Sequence, residues 1–271
     1  MRIRSLILLA NILLAMAGCA TAAQSGQGPA AAPPTLAAAA AAADLQASPS
    51  GARNYLTPAA LNLYRLLPPP PEAGSAQERA ELDELLQLQA TRSPAAAQRA
   101  REDVSVSIFR FADALGSPPA FTAQQLPLTT ELFERIARDE SLFMNTAKDA
   151  FGRPRPFLTE KRLAPVVEKP PSASYPSGHT TWAVACAIVL ADMVPERRAQ
   201  IFARADEYSH NREVGGVHYP SDVAAGHLAG TALAAELFHA PRFLDDEAAA
   251  ATELRQALGL PPLPRRPLYR H

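Results

Sequence analysis

Helix-opening signals recur along this chain at short intervals, and nothing in it reads as a pair of strands. That punctuation limits the fold more than any single residue does. Thr57-Pro58 offers an N-cap followed by proline at the first helical position. Ser75-Ala76-Gln77-Glu78 has the spacing of a capping box ahead of a Glu/Leu-rich run. Ser93-Pro94 opens another helix, which Gly116 is expected to close. Between Thr130 and Ala150, the residues Leu132, Ile136, Phe143 and Ala147 fall on one helical stripe. Pro195 starts a polar-faced helix running towards Arg212, and Pro220 an apolar one ending near Phe238. Asp245 to Leu258 reads as a last helix, with a loose tail from Pro261 onward. No run shows strand alternation or hairpin turn pairs. The expected fold is all-α, a single-domain bundle of roughly seven to nine helices.

The N-terminus reads as an export signal. Arg2 and Arg4 precede an apolar run from Leu6 to Ala17. As a helix that run covers roughly 18 Å, short of the ~30 Å hydrocarbon core, so residues 1–18 fit a signal peptide better than a membrane span. Met16-Ala17-Gly18-Cys19 resembles a lipobox, which would leave Cys19 lipidated. Cleavage after Ala20-Thr21-Ala22 would discard Cys19 instead, and the sequence leaves both endings open. Residues 19–50 are almost wholly Ala, Pro, Ser, Gly and Gln, too poor in apolar surface to order themselves, and read as a disordered linker. The folded domain is expected over 51–258 and a Pro-rich tail over 259–271. The second cysteine, Cys186, sits in an apolar run and is expected to be an inert buried thiol. Ala183 to Val194 is the most apolar later stretch, but Asp192 and Pro195 end it too early to span a membrane. The formal net charge of -1, with no long basic run, gives no reason to expect a nucleic-acid partner.

Three clusters combine cationic or imidazole groups with loop-forming residues. The first is Lys148 to Arg155-Pro156, the second Pro176-Ser177-Gly178-His179, the third Arg212 to His218 and Asp222. Each alone also reads as an ordinary helix boundary: a cationic helix end, an N-cap, a glycine turn before a proline-started helix. Together they supply what phosphoryl transfer needs. Lys148, Arg155 and Arg212 bring three positive charges. A phosphoryl group of roughly -2 and Asp222 balance them. His218 and Asp222 are four residues apart, so the carboxylate can fix one imidazole nitrogen and leave the other to attack. His179, on a separate element, can then protonate the leaving oxygen. The Ser177 hydroxyl and the Gly178 N–H sit at a helix start, where backbone donors favour an anion.

These residues resemble the tripartite signature of the type 2 phosphatidic acid phosphatase superfamily, K-x6-RP, PSGH and SR-x5-H-x3-D. Tyr55-Leu56-Thr57-Pro58 and Leu66 to Pro71 extend the likeness to bacterial class A non-specific acid phosphatases. The resemblance covers about Tyr55 to Phe238. It implies a helical bundle and a broad-specificity acid phosphatase for small phosphate monoesters, and leaves open whether phosphate also passes to acceptor alcohols; the export signal makes the expected location periplasmic. The resemblance makes His218 the phosphorylated nucleophile, Asp222 its orienting carboxylate and His179 the general acid and base. Lys148, Arg155, Ser177, Gly178 and Arg212 would hold the phosphate oxygens. No metal and no cofactor are implied, and a homodimer is. The pattern is broken at one place, where Asn211 stands for the serine before the third-motif arginine. Arg153 is expected to be a structural or surface arginine, with a phosphate or substrate contact as the alternative, and Glu102 part of a solvated helix face, with support of a site arginine as the alternative. Asp222 acts to raise the His218 pKa and the cations to lower it. Opposite demands on the two histidines predict a bell-shaped profile, and the resemblance implies an optimum on the acid side, at about pH 5 to 6.5.

Three other functions compete. A lipid phosphate phosphatase shares the motifs, but its members are usually multi-pass membrane proteins. A vanadate-dependent haloperoxidase shares the oxyanion site, in much longer chains. A non-catalytic phosphate-binding envelope protein would carry a degenerate site, whereas every chemical role here is filled.

Overall fold

The computed structural model describes residues 54–264. The expected signal peptide (1–18), the linker (19–50) and the end of the tail lie outside the described residues. Nine α-helices and three short 3-10 turns occur among the described residues, and no strand. The α-helices are α1 (Leu63–Leu66), α2 (Ala76–Thr91), α3 (Pro94–Glu102), α4 (Pro127–Phe151), α5 (Pro156–Thr159), α6 (Gly178–Met193), α7 (Arg198–Val214), α8 (Pro220–Leu237) and α9 (Pro241–Ala257).

Local chemistry sets most of these boundaries. The hydroxyls of Ser75, Ser93 and Ser177 accept from the exposed N–H groups at the starts of α2, α3 and α6. Proline opens α3, α4, α5, α8 and α9, where its missing N–H costs no helical bond. Gly152, at φ 61°, turns the chain out of α4. The start of α4 has no cap of its own. Glu253 of α9 supplies one, accepting from the N–H groups of Leu128 (3.0 Å) and Thr129 (2.8 Å).

Helix α6 is the axis of the fold. Thr180 to Ala187 are buried on every face, as are Val189 to Ala191 and Met193. A helix apolar all round must be enclosed, and α7, α8, α4 and α9 pack about it. Cys186 lies at its centre, where burial pushes the thiol pKa up. No helix among the described residues is long and apolar enough to cross a membrane. The stripe Leu132, Ile136, Phe143 and Ala147 faces the core, as its period requires.

Several boundaries differ from the sequence reading, among them that of α7, which begins at Arg198 after a 3-10 turn over Pro195–Arg197. Thr57-Pro58 makes a single turn, closed by Ala60 N–H on the Thr57 carbonyl (3.0 Å), and the helix begins after Asn62 instead. Helix α3 ends at Glu102. Gly116 (φ 86°) closes a separate 3-10 turn, because Asp103 is drawn inward by arginines from elsewhere. Helix α9 begins at Pro241, four residues before Asp245. The tail is anchored where it starts: Arg255 Nε donates to the Pro261 carbonyl (2.6 Å), and Leu263 packs on the core.

Candidate active site

The eight residues singled out from the sequence converge on one end of α6. Lys148 lies in the last turn of α4. Its ammonium is buried and donates to the carbonyls of Ala173 and Pro176, both at 2.8 Å. Burial and the Arg155 guanidinium push its pKa down to about 7. Beyond the Gly152 turn, Arg155 Nε donates to Ser172 O (2.9 Å) and Nη1 to Val217 O (2.8 Å).

The same Nη1 lies 2.9 Å from His218 Nε2. Guanidinium only donates, so Nε2 carries the lone pair. Nδ1 then carries the hydrogen and gives it to Asp222 Oδ2 (3.3 Å). The tautomer is thereby set with its basic nitrogen on the side of the cations. Asp222 holds this position because it lies in the first turn of α8, where it also accepts from Tyr219 N–H (2.9 Å) and the Ser174 hydroxyl. Burial, then Arg155, Lys148 and Arg212, hold His218 well below the ordinary imidazole value. The contest left open by the sequence is therefore won by desolvation and the cations, against Asp222.

Arg212, in the last turn of α7, is fully buried, and its Nε and Nη1 meet no acceptor. A buried guanidinium in that condition costs several kcal/mol unless an anion meets it, by the order of magnitude for unpaired buried charge (~3–5). Gly178 opens α6 with an N–H that no helical carbonyl can reach. The Ser177 hydroxyl accepts from Thr180 Oγ1 (2.9 Å), and Ser177 N–H reaches the Asp222 carbonyl (3.0 Å), tying α6 to α8. His179 Nε2 lies 3.0 Å from the Val104 carbonyl. A carbonyl only accepts, so Nε2 is the protonated nitrogen of the neutral ring. Burial and Arg212 push its pKa down to about 3.

Several neighbours carry no local sequence signal. Arg153 is not a surface group. It is buried between Asp222 Oδ1 (2.7 Å) and Glu81 Oε2 (3.0 Å), with its guanidinium 3.7 Å above the Tyr219 ring. Ser221 joins it, donating to the same Glu81 oxygen (2.9 Å). Four cations thus meet two carboxylates, which leaves about two positive charges for a phosphoryl dianion. Glu140, two turns before Lys148, points at α6: a Cβ on Gly178 would stand 3.0 Å from its Oε1. Burial pushes the Glu140 carboxyl up to about 7. Glu102 is exposed as expected and pairs with Arg110 (2.9 Å). Asn211 donates to buried Asp103 (2.8 Å). No group of three or more His, Cys, Asp or Glu that could hold a metal occurs among the described residues.

This arrangement has relatives. The PAP2 superfamily matches residues 136–245. The chain is 32% identical over 199 residues to the acid phosphatase of Zymomonas mobilis, covering 70% of this chain and 75% of that one. It is 31% identical over 198 residues to the non-specific acid phosphatase of Providencia stuartii, covering 68% and 77%. A bacterial vanadium-dependent iodoperoxidase of known crystal structure shares the fold at TM-score 0.52 and 19% identity. That match covers 66% of this chain and 53% of that one. The chain belongs to the PAP2 superfamily. Within it the chain is a class A acid phosphatase, a phosphoric monoester hydrolase.

Proposed function

We propose that this acid phosphatase is exported and hydrolyses a broad range of small monoesters through a phosphohistidine at His218, without a metal. The observation that carries the reading is the buried Arg212 guanidinium, without acceptors at Nε and Nη1, in a pocket shared with Lys148, Arg155 and the His218 lone pair. Phosphoryl oxygens satisfy Arg212, Lys148, Arg155, the Gly178 N–H and the Ser177 hydroxyl. Arg155 Nη1 moves from His218 Nε2 onto the phosphate, and Nε2 attacks phosphorus. The bond to the leaving oxygen breaks as His179 protonates it, with Asp222 stabilising the charged His218 ring. Water then attacks phosphorus, His179 takes its proton, and the P–N bond breaks to free phosphate. Cations cover the oxygens throughout, which is the role a metal would otherwise fill. Export rests on the apolar run after Arg2 and Arg4. It places the enzyme in the periplasm, either free or held by a lipid at Cys19.

The test is to quench the enzyme with base during turnover of a 32P-labelled monoester in excess EDTA. The expected result is full activity in EDTA and a base-stable, acid-labile label on the peptide containing His218. Activity lost to EDTA, or the absence of that label, would overturn the mechanism.

The pH profile follows from the same groups. Lys148 is charged below about 7 and Glu140 is neutral below about 7. As pH rises through 7 the empty pocket therefore loses about two positive charges, and affinity for the phosphoryl dianion falls. His218 stays neutral well into acid, because its pKa is depressed. His179 takes up its proton when the dianion arrives beside it. The value of kcat/KM, corrected for the ester's own second ionisation near about pH 6, is expected to be high in acid and to fall above about 7. Glu140→Gln removes one of the two charge changes, and with it the carboxylate that helps hold the Lys148 pKa up, so that limb is expected to become shallower without moving to higher pH. A wild-type profile still rising past about pH 8 would contradict these assignments.

A further inference from the structure

The His179 ring is held by a loop that no motif contains. That loop leaves α3 at Asp103, whose carboxylate is fully buried. Three donors converge on it: Asn211 Nδ2 at 2.8 Å, Arg110 Nε at 3.1 Å, and Arg204 Nη2. Asn211 and Arg204 both belong to α7, the helix that carries Arg212 in its last turn. The next residue, Val104, gives its carbonyl to His179 Nε2 (3.0 Å). The one after, Ser105, gives its carbonyl to the Tyr208 hydroxyl (2.9 Å), and Tyr208 is again on α7. The Tyr208 ring lies nearly parallel to His179, 22° between planes and 6.1 Å between centroids. Helix α7 therefore carries a phosphate cation at its end and, through Asp103, fixes the loop that orients His179.

We propose that Asp103, clamped by Arg204 and Asn211 of α7, is a positioning residue for His179 in the proton-transfer step. It does not touch the substrate. It fixes the Val104 carbonyl, and that carbonyl keeps the His179 Nε2 hydrogen and the ring plane in place while the ring gains and gives up its second proton. The proposal rests on the reading of His179 as the acid that protonates the leaving oxygen. It also accounts for Asn211, the departure from the family motif. An amide at this position reaches Asp103 across the gap between α7 and the loop and contributes one of its three donors.

A positioning role predicts a loss graded by the leaving group. A nitrophenolate departs without a proton, whereas an alkoxide cannot. Asn211→Ala and Asp103→Asn are to be compared with wild type and His179→Ala on nitrophenyl, phenyl and alkyl phosphates. Asn211→Ala removes a single neutral donor and guards against a folding failure in the Asp103 variant. A misplaced acid can cost up to about 100-fold. The expected loss in kcat/KM on the alkyl ester is about 10-fold for Asn211→Ala and about 30–100-fold for Asp103→Asn. On the nitrophenyl ester it stays within about 3-fold. Inhibition by inorganic phosphate should be unchanged, because Arg212 keeps its place. An equal loss on all esters with weakened phosphate inhibition would mean that Asn211 and Asp103 act through Arg212, and would overturn the proposal. So would no loss at all. If His179→Ala itself shows no grading, the role given to His179 falls and the clamp with it. If His179→Ala is graded and the other two are not, only the clamp is overturned.

Discussion

His218→Ala leaves the fold and the phosphate site standing and lowers turnover of an aryl phosphate by about 10⁴-fold or more, the range seen when a covalent nucleophile is deleted. The pocket predicts this separation of binding from chemistry. His218 is the imidazole whose Nε2 lone pair lies among the cations, 2.9 Å from Arg155 Nη1. Removing the ring does not strand its partners. Asp222 keeps Arg153 at 2.7 Å, Tyr219 N–H at 2.9 Å and the Ser174 hydroxyl. Arg155 keeps the carbonyls of Ser172 and Val217. Lys148 and Arg212 do not touch the ring through any hydrogen bond. Inorganic phosphate should therefore inhibit the variant's residual activity, or protect it thermally, at close to the wild-type concentration. Activity within about 10-fold of wild type would remove His218 from the role of nucleophile. Loss of activity together with loss of phosphate protection would mean a collapsed site, in which the ring serves structure first.

The parts of this site that were legible in the sequence are those in which one segment carries both the residue and its local geometry. Ser177 is an N-cap by its own hydroxyl, and Gly178 and His179 follow from it. Asp222 meets His218 because the turn into α8 brings residues four apart together. Gly152 releases Arg155 from α4. The parts that were not legible are pairs made by tertiary packing. Arg153 and Glu81 are separated by 72 residues, and Asn211 and Asp103 by 108. Neither partner is marked by a cap, a turn or a period. Burying them together is decided by how α2 and the loop after α3 settle against α7 and α8. The same competition explains the misplaced end of α3. Helix propensity could have continued past Glu102, but three donors waiting for the Asp103 carboxylate outweigh the few tenths of a kcal/mol that another helical residue contributes. The direction of the His218 pKa was ambiguous for a related reason: the sequence names the charges but not how deeply they are buried.

Gly230→Ala should destabilise the protein by about 2–4 kcal/mol, and Gly230→Val should prevent accumulation of folded enzyme. Gly226 and Gly230 lie one turn apart on α8, on the face turned to α6. A Cβ at Gly230 would stand 2.5 Å from the Thr181 carbonyl oxygen and 2.8 Å from Val184 Cβ. At Gly226 it would stand 2.7 Å from Thr180 Cβ and 2.9 Å from the Ser177 carbonyl oxygen. Both glycines have ordinary helical φ, so helix propensity alone would make alanine the better residue by about 1 kcal/mol. The sign of the measured change therefore reports which effect wins. The obstructing atom at Gly230 is a backbone oxygen of the central helix, which cannot rotate aside as a side-chain end would. Relief requires α8 to move off α6, and that opens the buried seam between them. Chemical denaturation reads the loss directly for Gly230→Ala. At Gly226 the same displacement acts on Ser177 and Thr180, so Gly226→Ala should weaken phosphate inhibition in addition to lowering stability, whereas Gly230→Ala, one turn further from the pocket, should leave phosphate inhibition of the folded fraction near wild type. A Gly230→Ala protein as stable as wild type would mean that α8 moves off α6 at little cost, and that the ends of the two helices are held in register by the Ser177–Asp222 backbone bond rather than by close packing.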